Sequence, residues 1–283
     1  MLALTSAVVA AQPDGGAFSH EAQSIAAGKR KEIFAELSNL GDHRWAGSYY
    51  KGDGLGENVS VAIAPQSGYV FEWHGCGGLY GLNYGSVTLT NGLISLSFTH
   101  QNSPGFGGIA PRFIPVPWTS RHYLVPADDV IGFCNAVNAG EEPRTDLHGR
   151  YLLRSADEKK EAKGFPEVPG QYRPYLLAKP IEATITAVGP HTTRPSTAPW
   201  KFKDTPVTLD AGTDRGMLVG MELLVTHPLQ VTSIRIVRVA LHQSDGVLVL
   251  TLEDRGPKVG WRLSTRAPWH DPTRKPTTGG SGA

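Results

Sequence analysis

The 283-residue sequence predicts a mainly β protein: an N-terminal antiparallel β-barrel or half-barrel with flanking helices, followed by a second, small β-barrel. Three observations predict it. Short apolar runs alternate with a period of two along most of the chain, the pattern of half-buried strands. The 33 glycines and 21 prolines fall mostly between those runs, where turns are needed. Only a few stretches carry the helical period, and with 40% hydrophobic and 19% charged residues the chain has the composition of a globular protein with a real core.

The elements follow in order. Residues 1–18 begin MLALTSAVVAAQPDGG, an apolar stretch followed by small residues that resembles a truncated secretion signal or a flexible leader, with a cleavage point before Gln12. Ser19 then offers an N-cap to an amphipathic helix over 19–41. Its apolar face is read as Ala22, Ile25, Ala26, Ile33, Phe34 and Leu37, with Gly41 just past its end. The N-terminal β-domain is placed at 42–154. Its runs NVSVAIAP (58–65), SGYVFEWH (67–74), YGSVTLT (84–90) and GLISLSF (92–98) are separated by turn signals and read as a meander of hairpins. The stretch NSPGFGGIAPRFIPVPW (102–118) reads as a long irregular excursion before the strand SRHYLVP (120–126). ADDVIGFCNAVNAGEEP predicts a short helix opened by Asp128 and Asp129, with Val130, Phe133, Cys134 and Val137 on its apolar face, and HGRYLLR (148–154) predicts a further strand. The charged run SADEKKEAKG and the prolines that follow suit a surface helix and a connector over 155–180.

From Ile181 to residue 266, six short strands recur at intervals of about 10 to 20 residues, the rhythm of a small barrel. Two of its turns rhyme: DRGMLVGMEL from 214 and DRGPKVGWRL from 254 both read D-R-G-x-x-V-G-x-x-L. With VTSIRIVRVA between them, this region resembles the SH3-like small barrel of bacterial cell-envelope and flagellar assembly proteins, such as the C-terminal domain of flagellar assembly protein T. It departs from them at Trp261, where their closing turn carries Asp. WAGSYYKGDGLGENVSVAIAPQSGYVFEWHG is similar in rhythm to exported lipocalin-like domains, with Tyr84-Gly85-Ser86-Val87 in place of their Gly-x-Trp. Together the likenesses imply an exported, periplasmic or extracellular bacterial protein of two β-domains. Without a working leader it would be cytoplasmic. Residues 267–283 are read as a disordered tail.

The chemistry-bearing residues are few. Glu72, His74 and Cys76 lie two apart, on one face of a strand, and form the candidate catalytic trio. As metal ligands they are poorly placed, because outer members of such a trio lie about 13 Å apart on a flat strand. A distant His100 or His122 could complete a site with two of them, yet no H-x-x-x-H or C-x-x-C pattern supports it, so neither metal nor cofactor is assigned. As a nucleophile Cys76 could use the amides of Gly77 and Gly78 as an oxyanion hole, but the strand-to-helix elbow such a site needs is missing. Cys76 and Cys134 are the only two cysteines, so a disulfide between them stays open. Trp73, Tyr80, Tyr84 and Trp118 are candidate ligand-binding aromatics, with core packing the alternative.

Charge excludes one large class of partner. The 27 basic and 26 acidic residues balance to +1, and the longest basic run is Lys29-Arg30-Lys31 on a helix, read as a solvated face; nucleic acid is not expected. No uninterrupted apolar stretch is long enough for a helical membrane span. Three functions stay open: a noncatalytic envelope binding or assembly protein with an unknown protein or small-molecule partner, a small-ligand carrier using the first barrel, and a Cys-dependent hydrolase or transferase at Cys76 and His74.

Overall fold

The computed structural model describes residues 18–52, 57–99, 108–140, 143, 151–194, 201–229, 232–251 and 255–268. The leader before residue 18, His100, the glycine-rich 101–107 and the tail beyond 268 lie outside them. The protein is mainly β, as expected, with two closed antiparallel barrels. By contacts the chain divides into two compact units, Met1–Arg112 with Arg154–Ala156, and Phe113–Leu153 with Asp157–Ala283.

In the first unit, α1 (His20–Leu40) starts where the hydroxyl of Ser19 accepts from the amide of Ala22 and stops at Gly41. Five strands follow: β1 (Gly47–Gly52), β2 (Glu57–Ala64), β3 (Gly68–Gly75), β4 (Gly78–Thr90) and β5 (Leu93–Phe98). The hairpin between β4 and β5 turns on Asn91 and Gly92, both at positive φ, as a two-residue turn that matches strand twist requires. Register sorts the side chains. Tyr49, Val61, Phe71 and Asn83 lie opposite one another across four strands and are all buried. The opposite face holds Ala62, Val70 and Tyr84, which pack under Ala22, Ala26 and Ile33 of α1. Alanines on both sides let the helix lie close. Ile25 and Phe34, read as part of that apolar face, are in fact exposed: the barrel surface under α1 is narrow, and small residues fill it. From the same helix Glu36 accepts the amides of Gln66 and Ser67, fixing the β2–β3 turn.

The row facing away from α1 lines the interior of the barrel and is buried. Tyr69 packs edge-on to Phe98 and donates to the Oδ1 of Asn83 at 3.1 Å, which satisfies both buried polar groups. Arg154, itself buried, ties the end of β8 (Leu152–Arg154) to the loop after α1, through Asp42 at 2.9 Å and the carbonyl of His43.

The second unit contains β6 (Arg112–Trp118, from Phe113), β7 (Arg121–Pro126), α2 (Val130–Ala139) and most of β8. Pro115 and Pro117 predict irregular chain over 112–118, yet the segment is a strand. The carbonyl of Pro117 accepts from the amide of Glu167. A strand residue's N and C=O point to the same side, so the missing N–H of Pro117 faces the connector and takes no bond from the β6–β7 ladder. α2 runs as expected and ends at Gly140 in the left-handed conformation. Asp129 precedes it without capping it, because its carboxylate accepts from the hydroxyl of Tyr151. Val130, Phe133 and Cys134 of α2 pack against Val116, Tyr123, Val125, Tyr151 and Leu153.

The run 155–164 is no surface helix. It has one 3₁₀ turn (Ser155–Asp157) and then lies along the β6–β7 hairpin, bonded through Thr119, Ser120 and Arg121 to the carbonyls of Lys163, Glu161 and Lys160. A second 3₁₀ turn, Gly170–Tyr175, leads on toward the last barrel.

That barrel is built from β9 (Glu182–Val188), β11 (Phe202–Leu209), β12 (Glu222–His227), β13 (Ser233–Val239), β14 (Ser244–Thr251) and β15 (Arg262–Ser264), with the two-residue β10 (Thr192–Thr193) beside β11. It is two copies of one three-strand unit, β9-β11-β12 and β13-β14-β15. The pairing of β12 with β13, from Glu222↔Arg235 to Leu224↔Ser233, is repeated in step by β15 with β9, from Arg262↔Thr184 to Ser264↔Glu182. β9–β11 and β13–β14 carry a register shift at the same place, skipping Thr186 in one and Val237 in the other. β11 pairs with β14, and β12 with β15, across the axis that relates the copies.

The rhyming turns fall at equivalent points. Gly220 and Gly260 both sit at positive φ, 90° and 88°, a conformation that costs glycine least. The amide of Gly220 bonds the carbonyl of Ile236, whose amide bonds the carbonyl of Met221; Gly260, Ile185 and Trp261 repeat that circuit. Met221 and Trp261 then point into one core with Ile185, Ile236, Leu223 and Leu263. Trp261 therefore fills the place of a core residue.

Candidate functional site

The opening trio sits at the tip of the β3–β4 hairpin. β3 ends at Gly75 and β4 begins at Gly78, so Cys76 and Gly77 form a two-residue turn. A bulge after Trp73 leaves Tyr80 without an opposite number on β3. The bulge aims Tyr80 back along the hairpin. Its ring lies 5.1 Å from that of Trp73, and its hydroxyl accepts the amide of Gly77 at 2.9 Å.

Glu72 and His74 project from the same face of β3, as their spacing requires, and the structure joins them: His74 Nε2 is 3.3 Å from Glu72 Oε2. The same carboxylate oxygen takes an ion pair at 2.9 Å from Arg30 of α1. Arg30 was read as part of a solvated basic triplet; its partner lies 42 positions away in sequence, so no local pattern could have signalled it. Cys76 is exposed in the turn, beyond the end of the strand that carries the other two. Among the described residues no group of three His, Cys, Asp or Glu is placed to hold a metal ion.

This arrangement is poorly suited to nucleophilic chemistry at Cys76. The amide of Gly77, the first candidate oxyanion donor, is already given to Tyr80. Glu72, which could orient a histidine base, is shared with Arg30.

The aromatic candidates have separate surroundings. Trp73 and Tyr80 are neighbours at the hairpin tip. Tyr84 is buried beneath α1. Trp118 packs on Tyr123 and Phe133 and donates its indole N–H to the carbonyl of Gly164 at 2.9 Å. It serves the packing of α2 and the following segment.

Cys76 is exposed and Cys134 is buried, and no disulfide joins them in this structure. Burial pushes the Cys134 thiol up to about 12, whereas Cys76 lies at the surface. Iodoacetamide is therefore expected to modify Cys76 in the native protein and to reach Cys134 only after unfolding, a difference that peptide mass spectrometry reads directly. Equal labelling of both in the native state would contradict the placement of α2.

A second polar cluster gathers around His122, which the sequence offers only as a distant metal ligand. Asp157, placed in a charged surface run, has a side chain only 1% exposed. Its Oδ2 accepts the backbone amide of His122 at 2.9 Å and faces His122 Nδ1 at 2.7 Å, while Oδ1 takes Lys160 at 2.6 Å. Burial alone would raise this carboxyl, but hydrogen bonds from Lys160 and His122, with their charges, outweigh it and hold it below its ordinary value. The cluster anchors the segment after β8 to the β6–β7 hairpin.

Comparison with protein-family models, with curated proteins and with solved structures returns no match. What the fold and the site define is therefore a class: a mainly β protein of two closed barrels, one eight-stranded and one an internally duplicated barrel of six strands. Among the described residues no helix is long and apolar enough to cross a membrane.

Proposed function

We propose that this is a noncatalytic binding or assembly protein of the bacterial cell envelope, acting through its surfaces on a protein partner. The observation that carries the reading is the hairpin tip, where the catalytic geometry weighed from sequence is already spent: the Gly77 amide on Tyr80 and the Glu72 carboxylate on Arg30. The second support comes from the inward-facing side chains of the first barrel. Tyr49, Tyr69 and Phe71 are wholly buried there, which disfavours a small-ligand carrier that would need that space. The resemblance of residues 181–266 to SH3-like barrels of envelope and flagellar assembly proteins, and of the N-terminal part to exported lipocalin-like domains, points to the same compartment. So does the signal-like sequence before Gln12, which would leave a mature chain starting near that residue.

The test is fractionation of the native host followed by affinity capture with the full chain. A protein partner recovered at comparable amounts from the envelope fraction supports the reading. Protein found only in the cytosol with Met1 to Ala11 intact, or a tightly bound small molecule in native mass spectra, overturns it.

A further inference from the structure

The two equivalent turns of the C-terminal barrel differ in what covers them. At the first, α2 lies on the turn. Asn135 donates from Nδ2 to the carbonyl of Gly220 at 3.0 Å and accepts the amide of Glu222 at 3.3 Å through Oδ1. One helical turn earlier, Ile131 stands so close that a Cβ on Gly220 would come within 3.2 Å of its Cγ2. Tyr175 adds a hydrogen bond to the carbonyl of Val219 at 3.0 Å. An aliphatic residue and an amide four positions apart on a helix thus read the bend at V-G.

At the second turn the same backbone circuit is present, and none of the described residues covers its outside. Among the described residues a Cβ on Gly260 would meet nothing within 4 Å, and Val259 is 64% exposed against 50% for its counterpart Val219. The flanking residues differ as well: Leu218 and Glu222 of the first turn correspond to Lys258 and Arg262 of the second, so an apolar and an acidic residue give way to two exposed basic ones.

We propose that the turn at Val259 and Gly260 is a docking site for an acidic amphipathic helix of a partner protein, which presents an aliphatic residue and an amide one helical turn apart as α2 does at Gly220. This rests on the binding-protein reading above and names where the partner binds. Among the described residues, a second copy of this chain offers no such helix. Ile131 and Asn135 are already engaged, and α1 carries no such pair, since Asn39 follows Ala35. The basic flank selects for acidic helices, and α2 itself is preceded by Asp128 and Asp129.

The probe is a synthetic peptide of residues 127–140, helix-stabilised by a side-chain staple on its solvent face and labelled for fluorescence anisotropy, added to the full chain. One peptide is expected to bind per chain. Val259→Asp should weaken it at least tenfold, Lys258→Glu several-fold, and an Asn135→Ala change in the peptide at least tenfold. Leu241→Asp, at an equally exposed apolar residue, should leave it unchanged. Circular dichroism of each variant confirms the fold, as these side chains are exposed.

No binding, or binding indifferent to Val259→Asp, overturns the site. Self-association in sedimentation that Val259→Asp abolishes also overturns it, because the occupant is then a second copy. The two readings fail separately: capture without any envelope partner counts against the binding protein, while a partner whose binding ignores Val259→Asp counts against this site alone.

Discussion

Replacing Phe133 with alanine is expected to destabilise the protein by about 3 to 5 kcal/mol, the range for removing a large aromatic from a packed core. Phe133 is fully buried, and three rings surround it: Tyr151 at 5.3 Å, Tyr123 at 5.4 Å and Trp118 at 6.5 Å. Those neighbours cannot collapse into the gap without losing their own bonds. Tyr151 is held by Asp129, and Trp118 by the carbonyl of Gly164. The cavity therefore stays open, which puts the cost at the upper part of the range. Urea unfolding of wild type and variant measures it. A loss under about 1 kcal/mol would mean that α2 is not the keystone of the second unit. Phe133→Leu, which keeps most of the volume, should cost under about 2 kcal/mol.

Asp157→Ala should cost about 3 kcal/mol near neutral pH, because it removes the buried acceptor that faces His122 and Lys160 and frees the segment lying on the β6–β7 hairpin. The pH dependence follows from the lowered carboxyl. A carboxyl depressed in the folded protein contributes stability that is fully present above its unfolded value, about 3.9, and is lost as pH falls through its folded value. The difference between wild type and variant should thus shrink as pH drops below about 4. Thermal unfolding across that range checks it, and a gap that widens on acidification would contradict the assigned role.

Legibility in the sequence followed the range of the interactions. The helix caps at Ser19 and Gly41, the Asn91-Gly92 turn and most strands were readable because each depends on a few adjacent residues. β6 was not, because its two prolines argue against a strand unless one knows that their missing N–H faces away from the partner. The inward set of α1 failed at Ile25 and Phe34 because helical period says which residues share a face but not how wide the buried stripe is. At the site, the pairing of Glu72 with His74 followed from strand spacing alone. Arg30 and Asp157 did not, since their partners come from other elements and the local sequence around each looks like solvated charge. The sequence carries a further sign of the duplication: Ile185-x-x-Val188-x-x-His191 rhymes with Ile236-x-x-Val239-x-x-His242, which extends the repeat visible in the two D-R-G turns.

The duplicated barrel has one more property, which concerns the direction in which the chain runs through it. Its first and last residues are side by side: the amide of Ile181 bonds the hydroxyl of Thr265, and the amide of Thr265 bonds the carbonyl of Ile181. Because β15 meets β9 in the same register in which β12 meets β13, the place where the chain enters and leaves the ring is structurally interchangeable with the link between the two copies. Cutting that link and joining the ends would produce a circular permutant with every ladder preserved. The fold of this barrel is thus encoded in which strands are adjacent, and very little in which of them the ribosome makes first.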